Sequence, residues 1–197
     1  MKTEYKGFKT LFPTIVHKFQ IDKALIKDIT TKPNHFEYFN VKNEPDFIDL
    51  QREVEKCIFE IRPVSICTGQ WKVVTAWINN QPPNEEGFNW HNHIDSFYSA
   101  VLYLKGSNMS LDLRDDPKES ININQNKRDF EILVRHTWND DVNIQVEVGD
   151  LLFFPSYCLH KPNKNETQEN RISISYNLMP SRYNANSPFP WCMDYQP

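Results

Sequence analysis

The spacing of apolar positions changes once along the chain. Over residues 45–61, Phe47, Leu50, Val54, Cys57 and Ile58 fall at i, i+3, i+7, i+10 and i+11, which is one face of a helix. Pro63 then ends it. A shorter helix is predicted over residues 22–30 with Asp22 as its cap, after an early strand over residues 11–21 that carries Ile15, Val16 and Phe19. From Trp71 onward the period is two. Strands are predicted over residues 71–79, 97–105, 109–113, 129–136, 144–148, 151–154 and 171–178. Residues 80–87 form a loop containing Pro, Asn and Gly, residues 114–127 a polar loop or insert, and Gly149-Asp150 a turn. A helical first third followed by short strands and turns implies one mainly β domain: a mostly antiparallel barrel or sandwich backed by N-terminal helices. Residues 1–70 would support a core of about 71–180, and residues 181–197 would form an aromatic tail holding Tyr183, Phe189, Trp191 and Tyr195.

Composition fits this picture. The chain has 197 residues, enough for one sizeable core, and 39% apolar with 24% charged residues is a globular balance. Its net charge of −4 and lack of a basic stripe speak against a sequence-independent grip on nucleic acid. No apolar run reaches the roughly 18 residues that a membrane helix requires. The lysine-rich start is not followed by an apolar segment of the secretory kind, and the four cysteines, Cys57, Cys67, Cys158 and Cys192, lack metal or framework spacing. The expectation is a cytoplasmic protein with reduced thiols.

Candidate chemistry is concentrated in Phe88-Asn89-Trp90-His91-Asn92-His93-Ile94-Asp95. His93 and Asp95 are two apart, so on an extended chain they share a face and can converge on one cation. His160, shortly after the buried run 151–154, is the candidate third ligand. Two imidazoles and a carboxylate on one face of an octahedron leave three adjacent positions open, as in non-haem Fe(II) oxygenases. A His-x-Asp pair alone is a weak signal. The strand beyond His160 strengthens it, because Arg171, Ser173, Ser175 and Asn177 alternate onto one face. An arginine with a hydroxyl at i+2 forms a fork for a carboxylate. Tyr103 shares parity with Asp95 on the preceding strand and could place its hydroxyl on the same face, deeper in.

With these residues in order, the chain resembles the 2-oxoglutarate/Fe(II) oxygenase superfamily, and most closely its prolyl-hydroxylase-like branch of small phage and bacterial oxygenases. The resemblance runs over roughly residues 71–180, carried by 90–95, 99–104, 149–156, His160 and 171–175. It implies a double-stranded β-helix (jelly-roll) core with Fe(II) at one mouth, held by His93, Asp95 and His160. It implies 2-oxoglutarate as co-substrate, its far carboxylate on Arg171 with Tyr103 and Ser173 assisting, and ascorbate as an optional addition. His91 and Asn177 are then candidates to orient the ligands from behind. Relatives of this kind often read His-x-His followed by Pro and then Asn or Gly, so the carboxylate position varies and a ligand set shifted to include His91 stays open. The reaction implied is dioxygen-dependent hydroxylation of a C–H bond, in a prolyl or other residue of a peptide or protein, or in a free amino acid or small metabolite. A cupin-like metal protein without 2-oxoglutarate chemistry is the rival reading. Specificity is expected in residues 80–90, 114–127 and 181–197, the loops around the mouth.

Overall fold

A computed structural model describes residues 16–30, 40–61, 71–94, 96–114 and 141–180. The strand expected over 129–136, the insert over most of 114–127, the stop at Pro63 and the aromatic tail lie outside these residues, as does Asp95. The elements in chain order are β1 (His17–Gln20), α1 (Lys23–Thr30), α2 (Ile48–Ile61), β2 (Trp71–Gln81), β3 (Tyr98–Lys105), β4 (Met109–Arg114), β5 (Val142–Val146), β6 (Asp150–Pro155), β7 (Leu159–Pro162) and β8 (Arg171–Pro180). All sheet pairings are antiparallel. One sheet has the order β1-β6-β3-β8-β2 and the other β5-β4-β7. Two facing antiparallel sheets whose neighbours are distant in sequence form the expected jelly-roll.

The two helices cover the outer face of the larger sheet. Asp22 caps α1 as expected, its Oδ1 accepting the Ala24 N–H at 2.8 Å. Phe47, just before α2, and Leu50, Val54 and Ile58 on it are buried in one cluster with Ile174, Tyr176 and Leu178 of β8 and Ala100 and Leu102 of β3. The helix itself starts at Ile48 rather than near Pro45, because the Phe47 N–H donates to Glu44 O in a preceding tight turn. Glu55 then ties α2 to the edge of the sheet by accepting the Val73 N–H at 3.0 Å and pairing with Lys72 at 3.3 Å. β2 is thus an edge strand whose free backbone is partly occupied by a helix side chain.

A second cluster fills the space between the sheets: Val101 and Tyr103 from β3, Met109, Leu111 and Leu113 from β4, Val146 from β5, and Leu152 and Phe154 from β6. β3 and β6 are central and packed on both faces, which is why their sequences read as apolar runs rather than alternating ones. Strand limits differ from expectation as well: β2 runs on to Gln81, into the expected loop 80–87, because Asn80 and Gln81 still pair with Ile172 and Arg171 of β8. β5 spans 142–146 instead of 144–148, because 147–149 turn back: Asp150 Oδ2 accepts the Glu147 N–H at 2.7 Å, and Gly149 takes φ 96°. A Cβ at Gly149 would meet the Gln20 amide nitrogen at 2.0 Å. β7, not expected from the sequence, is four residues long with Lys161-Pro162 at its end, too short and too polar to show a period of two.

Candidate metal centre

The chain reaches the site as an extended segment running beside β7. His91 and His160 face each other in an isolated antiparallel bridge, each N–H donating to the other's carbonyl, at 3.1 and 2.9 Å. Two residues on, the His93 N–H donates to Ser156 O at 2.9 Å. The segment therefore acts as a further strand next to β7. Its side chains alternate, with His91 and His93 on one face, while the Trp90 ring carries the Arg114 guanidinium at 4.3 Å and the Lys161 ammonium at 5.1 Å from its centroid. Gly87 makes this approach possible: a Cβ there would lie 2.4 Å from Pro162 O.

Three imidazoles meet as a result. The ring centroids of His91 and His160 are 4.2 Å apart, those of His93 and His160 5.0 Å, and those of His91 and His93 5.5 Å. One nitrogen from each of His91, His93 and His160 lies within 4.8 Å of the other two. Each Nδ1 is already engaged. His91 Nδ1–H donates to Asn89 O at 2.8 Å, His160 Nδ1–H to Cys158 O at 3.0 Å, and His93 Nδ1–H to Asn177 Oδ1 at 2.5 Å. Backbone carbonyls only accept, so the Nδ1 atoms of His91 and His160 carry the proton and their lone pairs sit on Nε2. That outer arrangement, a carbonyl behind each imidazole, is how metal-binding histidines are commonly fixed. Burial, with His91 and His93 nearby, pushes the His160 pKa down to about 3, so its ring is neutral at physiological pH and ready to ligate. Phe154 (4.7 Å from the His160 ring) and Trp77 (5.4 Å from the His93 ring) wall the group on the inner side.

Deeper in the same interior lies a buried cation. Arg171, 3% exposed, opens β8 opposite Gln81. Its Nη1 donates to Gln81 Oε1 (3.1 Å) and to Asn163 O and Oδ1 (both 2.8 Å), and its Nη2 to Lys164 O (3.3 Å) and Asn108 O (3.5 Å). All are neutral acceptors, so the guanidinium is oriented without a carboxylate from the described residues, and its Nε is buried without a partner among them. Tyr103, paired across the sheet with Ser173, also buries a hydroxyl with no partner among the described residues. Burial raises its pKa well above the ordinary tyrosine value against the pull of Arg171. An oriented buried cation beside orphaned donors is a place for an anion. The residues present thus fit both an imidazole-bound metal ion and a carboxylate-bearing co-substrate. His160 lies in β7, and Asn163, which aims Arg171, follows directly after that strand, so one short stretch of chain links the imidazole group to the guanidinium.

Most of the expected site residues therefore come together. His93, His160 and Asn177 form one group, joined by His91, and Arg171 and Tyr103 form the second. Ser173 and Ser175 lie between them on β8, held by Asn79 Nδ2 at 3.4 and 2.9 Å. Sequence reasoning missed Gln81 and Asn163, which aim Arg171, and Trp77, which packs near His93. Gln81 and Trp77 meet their partners from positions distant in the chain, and Asn163 reaches Arg171 across a loop, so no periodic signal marks any of them.

A family model described as "Putative 2OG-Fe(II) oxygenase" matches residues 75–177, more than half of the chain. Among solved structures, the fold is similar to a Pseudomonas putida prolyl-4-hydroxylase (13% identity, 89% of each chain covered, TM-score 0.53). It is similar to iron-bound HygX of Streptomyces hygroscopicus (11% identity, 85% of this chain and 83% of that one, TM-score 0.58). It is also similar to SnoK, a non-haem α-ketoglutarate-dependent carbocyclase of nogalamycin biosynthesis (15% identity, 72% of this chain, TM-score 0.53), of whose length the chain spans 62%. Identities this low speak for the fold alone. No curated protein matches the sequence. The matched segment holds every histidine of the cluster together with Tyr103 and Arg171, and the chain belongs to the family of 2-oxoglutarate- and Fe(II)-dependent oxygenases.

Proposed function

We propose that this protein is a hydroxylase that uses Fe(II), 2-oxoglutarate and dioxygen to oxidise a C–H bond of a peptidyl residue, with proline the first residue to assay. The observation that carries the reading is the pairing of a cluster of three imidazoles with a buried guanidinium that lacks an anion among the described residues. His93 and His160 would hold the iron together with a third ligand from the 91–95 segment, and the bound iron with 2-oxoglutarate would supply the oxidising power. The chain's own contribution is positional. Asn177 and Cys158 O fix two imidazoles by their Nδ1 protons. Arg171, aimed by Gln81 and Asn163, holds the far carboxylate, with Tyr103 and Ser173 as further donors. Phe154, Leu152 and Val101 keep the interior dry, which strengthens each of these contacts.

The peptide reading draws on Phe88 and Ile94, which flank the histidines and are 66% and 59% exposed. Exposed apolar side chains beside a catalytic mouth suit a chain-like substrate laid across it. It also draws on the likeness to the P. putida prolyl-4-hydroxylase. Likeness to SnoK, named for nogalamycin biosynthesis, keeps a small-molecule substrate as the second reading.

The test is substrate-free turnover: Fe(II) loaded without oxygen, then air, with succinate followed by NMR. Succinate that requires iron and 2-oxoglutarate, and is stimulated by prolyl peptides, supports the proposal. Stimulation by small metabolites but not peptides moves the substrate to the second reading. No succinate, together with no 2-oxoglutarate-dependent charge-transfer band under nitrogen, refutes the reading in favour of a cupin-like metal protein. Ascorbate enters as an additive whose effect on the number of turnovers is measured separately.

A further inference from the structure

We infer that His91 is a direct metal ligand, so that the ion is held by three imidazoles, His91, His93 and His160, rather than by two imidazoles and the carboxylate of Asp95. The inference rests on the metal-dependent function proposed for this site and specifies its ligand set.

His91 and His160 are directly opposed residues exchanging both N–H···O=C bonds, at 3.1 and 2.9 Å. Residues so paired carry side chains on the same face, with Cα atoms about 5.5 Å apart. His160 therefore brings His91 with it: a metal reached by one imidazole is within reach of the other. His93 comes two residues later on the same face of the extended segment, which completes the group. The separation of no more than 4.8 Å among the three ligand nitrogens needs to close to about 3 Å for adjacent positions around an ion at ~2.1 Å, within reach of small χ rotations.

Proton placement points the same way. Each of the three rings has its Nδ1 committed to an oxygen acceptor, and those of His91 and His160 are backbone carbonyls. A ring retained only for packing would have no need of the same tautomer as its two neighbours. With Nδ1 committed in each ring, Nε2 is the nitrogen each can offer, and three imidazoles brought together in this way are the donor set that a metal ion requires. The consequence is electrostatic. Three neutral ligands leave the full 2+ charge on the ion, whereas a carboxylate would leave 1+. The centre then depends more on an anionic co-ligand, and imidazole-only coordination suits Co(II), Ni(II) and Zn(II) as well as Fe(II).

The experiment is metal binding by the full-length, metal-free protein under nitrogen, with Fe(II) and Co(II) affinities from chelator competition and X-ray absorption of the Co(II) form to count imidazoles. Wild type, His91→Gln and Asp95→Asn are compared, with thermal melts of each. The expected result is three imidazoles in wild type, a loss of at least roughly 100-fold in affinity in His91→Gln, and Asp95→Asn within about threefold of wild type. Two imidazoles in wild type, or an Asp95→Asn variant that loses the metal while His91→Gln keeps it, overturns the inference and leaves the metal-dependent function intact. Wild type that binds neither ion overturns both. Because the wild-type spectrum counts ligands without any substitution, a misfolded His91→Gln cannot obscure the answer.

Discussion

Replacing Tyr103 by Phe should make the protein more stable and its co-substrate binding weaker. Tyr103 is 2% exposed, wedged among Met109, Leu111, Leu152 and Phe154, and its hydroxyl has no hydrogen-bond partner among the described residues. A buried, unpaired hydroxyl costs about 1–3 kcal/mol. Its removal leaves the ring's packing intact, so metal-free Tyr103→Phe should gain on the order of 1 kcal/mol, roughly 2–4 °C in Tm for a chain of this size. With 2-oxoglutarate bound, the same hydroxyl would donate to a carboxylate, a charge-assisted bond worth about 1.5–3 kcal/mol, so its loss should weaken binding roughly 10- to 150-fold. Tyr176 supplies the control. Its hydroxyl is equally buried and equally unpaired, and burial raises its pKa in the same direction, but it lies among Ile174, Leu178 and the helix side of the sheet. Tyr176→Phe should stabilise and leave the co-substrate alone. Thermal melts of the apo forms and anaerobic titration of the iron–2-oxoglutarate absorption band measure both quantities. Equal 2-oxoglutarate affinity in Tyr103→Phe and wild type, or the same loss in Tyr176→Phe, would refute the assignment of Tyr103 to the anion pocket.

The same geometry predicts three further outcomes. Arg171→Lys keeps the charge but loses the planar fork aimed by Gln81 and Asn163; 2-oxoglutarate affinity should fall about tenfold or more with metal affinity unchanged, read by the same titration. Asn177→Leu removes the acceptor behind His93 and should weaken metal binding by roughly 10- to 100-fold in chelator competition, with partial recovery in Asn177→Asp. Gly87→Ala forces a methyl group against Pro162 O and should displace the 87–93 segment from β7. Amide exchange at His91 and His160 should then rise well before the protein as a whole unfolds, and unchanged protection there would show that the contact does not hold the segment.

Local patterns were enough for the elements that bury a single face. The apolar stripe of α2 and the period-two face of Arg171, Ser173, Ser175 and Asn177 are visible in the sequence because each is a property of neighbours along the chain. The same holds for the residue types of the site: histidines, an arginine with serine at i+2, and a tyrosine on an earlier strand, in an order that marks the family. Short or two-sided strands were harder. β7 has too few residues to show a period, and the end of β5 is set by Asp150 and Gly149 folding the chain back, a hydrogen-bonding fact rather than a hydropathy one.

The choice of partners belongs to tertiary structure. The i and i+2 rule that pairs His93 with Asp95 pairs His91 with His93 equally well, so the sequence alone leaves the ligand set open. What favours His91 is a backbone bridge to His160, a residue far along the chain, formed because β7 lies beside the 91–93 segment. Arg171 is likewise named by its place in the sequence but aimed by Gln81 and Asn163, one remote in the chain and one near. The sequence determined which chemical groups the protein owns and which strand face each occupies, because side-chain direction repeats along the chain. Folding decided which of them share a few ångströms of space, because that depends on hydrogen-bond registers between strands that no local pattern encodes.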